Sequence, residues 1–182
     1  MDEDPQPTGL LETLQASVVD RSLTPVPRGQ RGTDDVEEVS FERIVSHRPR
    51  YAAVLADIEV ALWQQEAVSP LLLELCRLRI AQLLGCGVAL VQRTPQAVAA
   101  GLDESLVSSL SQWPTDPRFS GQARVCLGFA EQLLMDAQGV SDEEADRVVD
   151  AVGQGGFLVL AYACGFFETT QRARLVVGAT RW

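Results

Sequence analysis

Residues 70 to 93 read PLLLELCRLRIAQLLGCGVALVQR. The apolar residues recur at helical spacing from Pro70 onward, and Ser69 followed by Pro70 is typical of a helix start. Gly85 then breaks the pattern, so Cys86 is predicted to lie in the first turn of the next helix. Unpaired amide groups and the helix dipole at that place favour a thiolate. The stretch therefore predicts a long helix followed by a cysteine that is reactive in principle.

The helical period continues through almost the whole chain from residue 40, and no sustained alternation of strand type appears. Ser141 and Glu144 form a capping-box pattern, and the glycines between Gly153 and Gly156 indicate a hinge between helices. The predicted fold class is all-α. The predicted helices span residues 40–47, 49–64, 70–84, 86–94, 95–100, 103–112, 121–137, 141–152 and 155–177.

Length and composition predict one helical domain preceded by an arm. The chain has 182 residues, of which 46% are hydrophobic, and this is enough for a substantial core. Residues 1–39 are polar and rich in helix breakers, so they are expected to form an N-terminal arm that is only partly helical. Its helically spaced apolar residues are Leu10, Leu11, Leu14, Val18 and Val19. The helical domain is expected to span residues 40–182.

The charge balance and residue types exclude several functions. The 15 basic residues, all of them arginine, face 25 acidic residues, and the net charge of -10 disfavours nucleic acid and anionic membranes as partners. The absence of lysine excludes Schiff-base catalysis. His47 is the only histidine, which argues against a metal site. We expect no metal and no cofactor.

The N-terminus and the cysteines indicate a cytoplasmic protein. Residues 1–7 are acidic and lack the features of a secretory signal, and the longest apolar run, 157–167, is too short to cross a bilayer. The four cysteines show no CxxC spacing, so no disulfide is expected in a reducing compartment. Cys126 and Cys164 lie in apolar helical runs, where core packing explains them, and Cys76 points away from the face that carries Glu74.

The spacing of Glu74 and Cys86 resembles the active-site motif of a known family. In the alkylhydroperoxidase D-like group of the carboxymuconolactone decarboxylase family, a glutamate and a cysteine are separated by eleven residues. A second cysteine follows after two residues, and a histidine after three more. Further similarity lies in Ser46-His47-Arg48-Pro49, Leu71 to Cys86, Ala99-Ala100-Gly101-Leu102, Gln112-Trp113-Pro114 and Phe129-Ala130-Glu131. The resemblance implies an all-α bundle of helical hairpins that assembles as a homo-oligomer.

The resemblance assigns catalytic roles that the sequence only half preserves. It implies that Glu74 is the glutamate of a proton relay and that Cys86 is the first redox cysteine. Ala89 stands where the peroxide-attacking cysteine would be, and Arg93 stands where the histidine would be. The dithiol cycle therefore cannot run. Decarboxylases of the family lack the cysteine pair but keep the histidine, so their chemistry does not fit either.

Helical geometry predicts one wall of side chains beside Cys86. At about 100° per residue, Cys86, Ala89 and Arg93 share a face of helix 86–94, and Glu74 is placed opposite by the resemblance. We expect Arg93 to point inward and to pair with Glu74 or to bind a ligand carboxylate or phosphate. The alternative for Glu74 is an ion pair with Arg77 on the helix surface, and the alternative for Cys86 is core packing.

These residues lead to three functional hypotheses. The preferred one is an alkylhydroperoxidase D-like protein with a degenerate redox centre, whose apolar pocket near Glu74, Cys86 and Arg93 binds or transforms a small acidic molecule. The second is a thiol peroxidase that uses Cys86 alone with an external thiol. The third is a non-catalytic structural oligomer. If the protein is an enzyme, it is a peroxidase-like oxidoreductase or a lyase-type relative. On the last helix, Glu168, Arg172 and Arg174 are expected to form a solvated or subunit-facing charge pattern.

Overall fold

The computed structural model of the protein describes residues 40–179, and this part of the chain is all-α, as predicted. The predicted arm, residues 1–39, and the last three residues, 180–182, lie outside the described residues. The helices are α1 (Phe41–Ser46), α2 (Pro49–Gln64), α3 (Pro70–Leu84), α4 (Gly87–Leu90), α5 (Pro95–Ala99), α6 (Glu104–Ser109), α7 (Gly121–Met135) and α8 (Asp142–Val177). Short 3₁₀ turns follow α6 at Leu110–Gln112 and α7 at Ala137–Gly139.

Helix α3 is the centre of the bundle and packs against α5, α7 and α8. A helix that is apolar around most of its circumference must be covered on several sides, and α3 has this composition. Its fully or nearly fully buried residues include Leu73, Leu75, Leu78 and Ile80. Helix α2 packs onto this core through Trp63, whose ring stacks 6.0 Å from that of Phe167 on α8. The predicted long helix is therefore the core helix, and it carries Glu74 of the candidate motif.

Local sequence signals set both ends of α3 and the start of α8. The Ser69 side chain accepts a hydrogen bond from the Leu72 amide, and Gly85 ends α3 with a positive φ of 68°. At the start of α8, Ser141 and Glu144 form the predicted capping box. Each side chain satisfies amide groups that the helix itself leaves unpaired. These boundaries agree with the prediction because they depend on neighbours in the sequence.

Helix α8 contains the predicted hinge. Residues 141–152 and 155–177 were expected as separate helices, and α8 is interrupted at Gly153, where φ is 77°. The helix is long and apolar enough to span a membrane by length and composition. However, it also supplies Leu160, Ala163 and Phe167 to the core, as the central helix of a globular domain does.

The helix predicted for residues 86–94 is much shorter in the structure, where α4 ends at Leu90. Cys86 is the N-cap residue of this four-residue helix, with φ of -84° and ψ of 83°, and is not in its first turn. The next helix begins only at Pro95, and the intervening segment hydrogen-bonds to Arg77 and Glu74 on α3. Because the helical period does not reach Arg93, the geometry that placed it on one face with Cys86 and Ala89 does not apply.

Candidate ligand-binding site

Glu74 lies on α3 with no exposed surface and forms an ion pair with Arg77 one turn later. The Arg77 Nη2 donates to Glu74 Oε1 at 2.6 Å, and Nε donates to Oε2 at 2.8 Å. The ion pair with Arg77 was the alternative hypothesis for Glu74, and the structure contains it. Its predicted place on the helix surface is wrong, because only 5% of the Arg77 side chain is exposed.

The same two side chains hold the segment between α3 and α5. Arg77 also donates to the backbone carbonyls of Ala89 and Gln92, both at 2.9 Å. Glu74 accepts from the Thr94 amide at 3.2 Å and from the Thr94 hydroxyl at 3.4 Å. We call this arrangement the Glu74–Arg77 clamp. Its hydrogen bonds occupy both carboxylate oxygens, as expected of a structural pair that satisfies a buried charge.

The predicted pairing of Arg93 with Glu74 is wrong. Arg93 instead forms a bidentate ion pair with Glu104, at 2.9 Å from Nε to Oε1 and 3.0 Å from Nη2 to Oε2. Its Nη1 donates to the carbonyls of Leu90 and Gln92. The physical reason is that α4 ends early, which turns Arg93 toward α6, while Arg77 already satisfies the Glu74 carboxylate.

Cys86 is 1% exposed and packs against Ala81 and Ala89. Its backbone amide donates to the Ala81 carbonyl at 2.9 Å, which fixes the chain as it leaves α3. All four cysteines are free thiols. The sulfur therefore lies behind the wall of the bundle and not at its surface.

The other three cysteines are buried in the core, as predicted for Cys126 and Cys164. The Cys76 thiol lies 3.6 Å from the Cys126 carbonyl. A hydrogen bond with Cys164, together with burial, raises the pKa of Cys76 well above its usual range. Burial raises the pKa of Cys126 to about 11. The Cys76 and Cys126 thiols remain protonated near neutral pH, so Cys76 does not substitute for a second redox cysteine.

A cleft with a volume of about 470 Å³ opens between α2 and the segment that joins α4 to α5. This volume lies within the range of small-molecule sites. Arg77 and Arg93 both line the cleft, whereas Glu74 and Cys86 are absent from its wall. The remaining lining residues are Ala56, Glu59, Val60, Trp63, Gln64, Gln92, Thr94, Pro95 and Gln96. The structure thus separates the three predicted site residues: Arg93 faces the cleft, and the other two lie outside its lining.

Glu59 is a site residue that the sequence reasoning missed. It is half-buried on α2, and burial raises the pKa of its carboxyl group, an effect that Arg174 and Arg77 oppose. A sequence signal was present, because Glu59 interrupts an apolar stripe formed by Ala56, Val60 and Trp63 at helical spacing. A carboxyl group in such a stripe indicates a charge that faces the interior of the protein.

Arg174 is the second residue that was missed. It was expected in a solvated or subunit-facing pattern, but it is 5% exposed, and its guanidinium lies 5.0 Å from the centre of the Phe41 ring. Burial lowers its pKa to about 10, while Cys86 and Glu59 act in the opposite direction. The expected surface pattern holds for its neighbours, since Arg172 pairs with Glu168 at 2.8 Å on the outside of α8.

The fold resembles a solved structure that is distant in sequence. A crystal structure of a protein of unknown function from Agrobacterium tumefaciens, for which the role of antioxidant defence protein AhpD has been suggested, matches with a TM-score of 0.68. The two chains are 18% identical over 76% of this chain and 95% of the other. No family model and no curated protein matches this sequence. The likeness shows that the two proteins share an all-α bundle fold.

Proposed function

We propose that this protein is a member of the alkylhydroperoxidase D-like group whose redox centre has become structural, and that it binds a small carboxylic acid in the cleft. The observation that carries the proposal is the Arg93–Glu104 pair. Arg93 lines the cleft and already holds a carboxylate in bidentate geometry. A ligand carboxylate can take the place of Glu104 on the same guanidinium.

The solvent exposure of Glu104 means that replacing it with a ligand carboxylate costs little free energy. The Glu104 side chain is 76% exposed, whereas that of Arg93 is 19% exposed. Ion pairs with one highly exposed partner contribute little to stability, because water and salt compete for the charges. Arg93 is meanwhile fixed from behind by the carbonyls of Leu90 and Gln92. Glu104 is therefore free to swing into solvent, and the guanidinium keeps its orientation.

The clamp and the buried cysteine support binding over peroxidase chemistry. Peroxide reduction by Cys86 alone requires contact between the peroxide and the sulfur, and the residue is 1% exposed. The glutamate of the family's relay has its oxygens occupied by Arg77 and Thr94. The cleft, by contrast, is open and lined by two guanidinium groups.

Assembly and location form part of the same proposal. We propose a homo-oligomer in the cytoplasm, without nucleic acid or membrane as a partner. Large apolar side chains project outward from two long helices, with exposures of 57% for Tyr51 and 54% for Val54 on α2, and 58% for Leu158 and 72% for Tyr162 on α8. Such faces are typical of subunit interfaces.

Isothermal titration calorimetry with benzoate tests the proposed binding. Arg93→Gln is expected to weaken benzoate binding at least about tenfold, because it removes a charge-assisted bidentate contact. Glu104→Gln is expected to tighten it about two- to fivefold, because the competing carboxylate is lost. Arg172→Gln and Glu168→Gln are controls, since they break an arginine–glutamate ion pair elsewhere on the surface. Equal affinity in the Arg93 variant and the controls would refute the proposal.

A further inference from the structure

A second, much smaller cavity adjoins the cleft. This cavity has a volume of about 20 Å³ and shares Glu59 and Arg77 with the cleft. We call it the polar cell; its walls are Glu59, Arg77, Phe166, Phe167, Thr170, Gln171 and Arg174. A third cavity of about 170 Å³ lies between α1, α2 and α8 and again includes Glu59. Glu59 therefore lines all three of these spaces.

Gln171, which lines the polar cell, carries an acceptor that no group of residues 40–179 satisfies. The residue is 1% exposed, and its Nε2 donates to the Arg77 carbonyl at 3.0 Å. That contact fixes the orientation of the amide, because the opposite orientation would bring two oxygens together. Its Oε1 is buried and has no hydrogen-bond partner among residues 40–179. Buried acceptors are nearly always paired, so a donor from outside the protein is expected here.

Two side chains of the polar cell, Thr170 and Arg77, direct their donors to other acceptors. The Thr170 hydroxyl donates to the Phe166 carbonyl at 2.7 Å, which uses its only hydrogen. The Arg77 guanidinium makes its contacts within the clamp and with the Gln92 carbonyl. A cavity of about 20 Å³ is large enough for one group the size of a water molecule, since about 10–15 Å³ suffices.

Among small polar groups, a hydroxyl matches the polar cell best. A methyl group would leave the Gln171 acceptor unpaired, and a carboxylate would place an oxygen against it. An ammonium would lie between Arg77 and Arg174 and be repelled by both. A hydroxyl can donate to Gln171, and its oxygen can accept a second hydrogen bond. The Glu59 carboxyl, whose pKa is raised by burial, also faces this position and can act as a donor when protonated.

We infer that the polar cell is the deep end of the ligand site and that the ligand is a hydroxylated small carboxylic acid. Its carboxylate lies on Arg93, and its hydroxyl enters the polar cell to donate to Gln171. In the free protein a water molecule takes the place of this hydroxyl. The position of the ligand carboxylate on Arg93 rests on the proposed function. The evidence for the contact between the hydroxyl and Gln171 does not depend on that proposal.

Matched ligand pairs test the hydroxyl contact. Titration calorimetry compares 4-hydroxybenzoate with 4-methylbenzoate and 3-hydroxybenzoate with 3-methylbenzoate, in which a hydroxyl and a methyl group of similar size are exchanged. In at least one pair, the hydroxyl compound is expected to bind about tenfold or more tightly than the methyl compound. The reason is that the methyl analogue leaves the buried Gln171 acceptor without a hydrogen bond. Gln171→Met is expected to reduce this preference to within about twofold, because methionine has similar length and no acceptor of comparable strength. Arg93→Gln is expected to weaken both members of the pair equally.

The outcomes separate the two proposals. Two results would overturn the hydroxyl contact and leave the proposed carboxylate site intact. One is binding that depends on Arg93 but shows no preference for the hydroxyl, and the other is a hydroxyl preference that survives Gln171→Met. If no ligand binds in a way that depends on Arg93, both the carboxylate site and the hydroxyl contact are overturned. A crystal structure of the ligand-free protein is a second measurement that needs no variant. It is expected to show a water within hydrogen-bonding distance of Gln171 Oε1, and an empty cell or an amide paired with a protein donor overturns the inference.

Discussion

Arg77→Met tests whether the Glu74–Arg77 clamp is a structural element. The substitution keeps most of the apolar stem and removes the guanidinium. Glu74, which has no exposed surface, then loses both hydrogen bonds from its partner, and the carbonyls of Ala89 and Gln92 lose their donor. Removal of one partner from a buried ion pair costs about 3–5 kcal/mol, because the other charge remains uncompensated. For a domain of this size, the corresponding fall in Tm is about 6–20 °C.

Denaturant unfolding followed by far-ultraviolet circular dichroism measures this loss. Arg172→Met is the matched control, because its side chain is 56% exposed and pairs with Glu168 at the surface. The control is expected to change the free energy of unfolding by less than about 1 kcal/mol. The double variant Glu74→Gln/Arg77→Met is expected to be more stable than Arg77→Met alone, because it no longer buries an unpaired charge. A loss for Arg77→Met no larger than that of the control would refute the structural role of the clamp.

Three further predictions concern chemistry, pH and assembly. Turnover of cumene hydroperoxide with a dithiol donor is expected at background level, since Cys86 is buried and Ala89 replaces its partner; robust turnover abolished by Cys86→Ser would contradict this. Burial raises the pKa of Glu59 in the folded state above its value in the unfolded state. As pH rises through the range between these two pKa values, the free energy of unfolding of the wild type is expected to fall relative to that of Glu59→Gln. Parallel unfolding curves for the two proteins across that range would show that Glu59 does not titrate in this way. Light scattering is expected to give the mass of a homo-oligomer, and a strictly monomeric mass at micromolar concentration would contradict the proposed assembly.

Local sequence was sufficient for most of the helices and for some of the contacts of the candidate site. The ends of α3 and α8 follow from Ser69, Gly85 and the capping box at Ser141, because those signals act within one turn. The ion pair of Glu74 with Arg77 could be predicted for the same reason, since the two residues are three positions apart. Its burial could not be predicted, because burial depends on the elements that pack over α3.

The sequence pattern misplaced Arg93 because a helical period was extended past the end of a helix. Four residues at Gly87–Leu90 are too few for the i, i+3, i+7 relation to hold. Arg93 forms its ion pair with Glu104, which is eleven positions away on another helix. Such a pairing depends on the path of the chain between α4 and α6, which no local rule specifies.

The sequence by itself determined the all-α class, the helix boundaries near Pro70, Gly85 and Gly153, and the absence of a second cysteine beside Cys86. Each of these depends on residue type or on neighbours within a turn. Only the tertiary structure decided which charges face the interior. Gln171 meets the Arg77 carbonyl across 94 positions of sequence, and the polar cell forms where α2, α3 and α8 converge. A hydrogen bond over that separation exists only after the core has packed, because hydrophobic burial fixes the distance between the helices first.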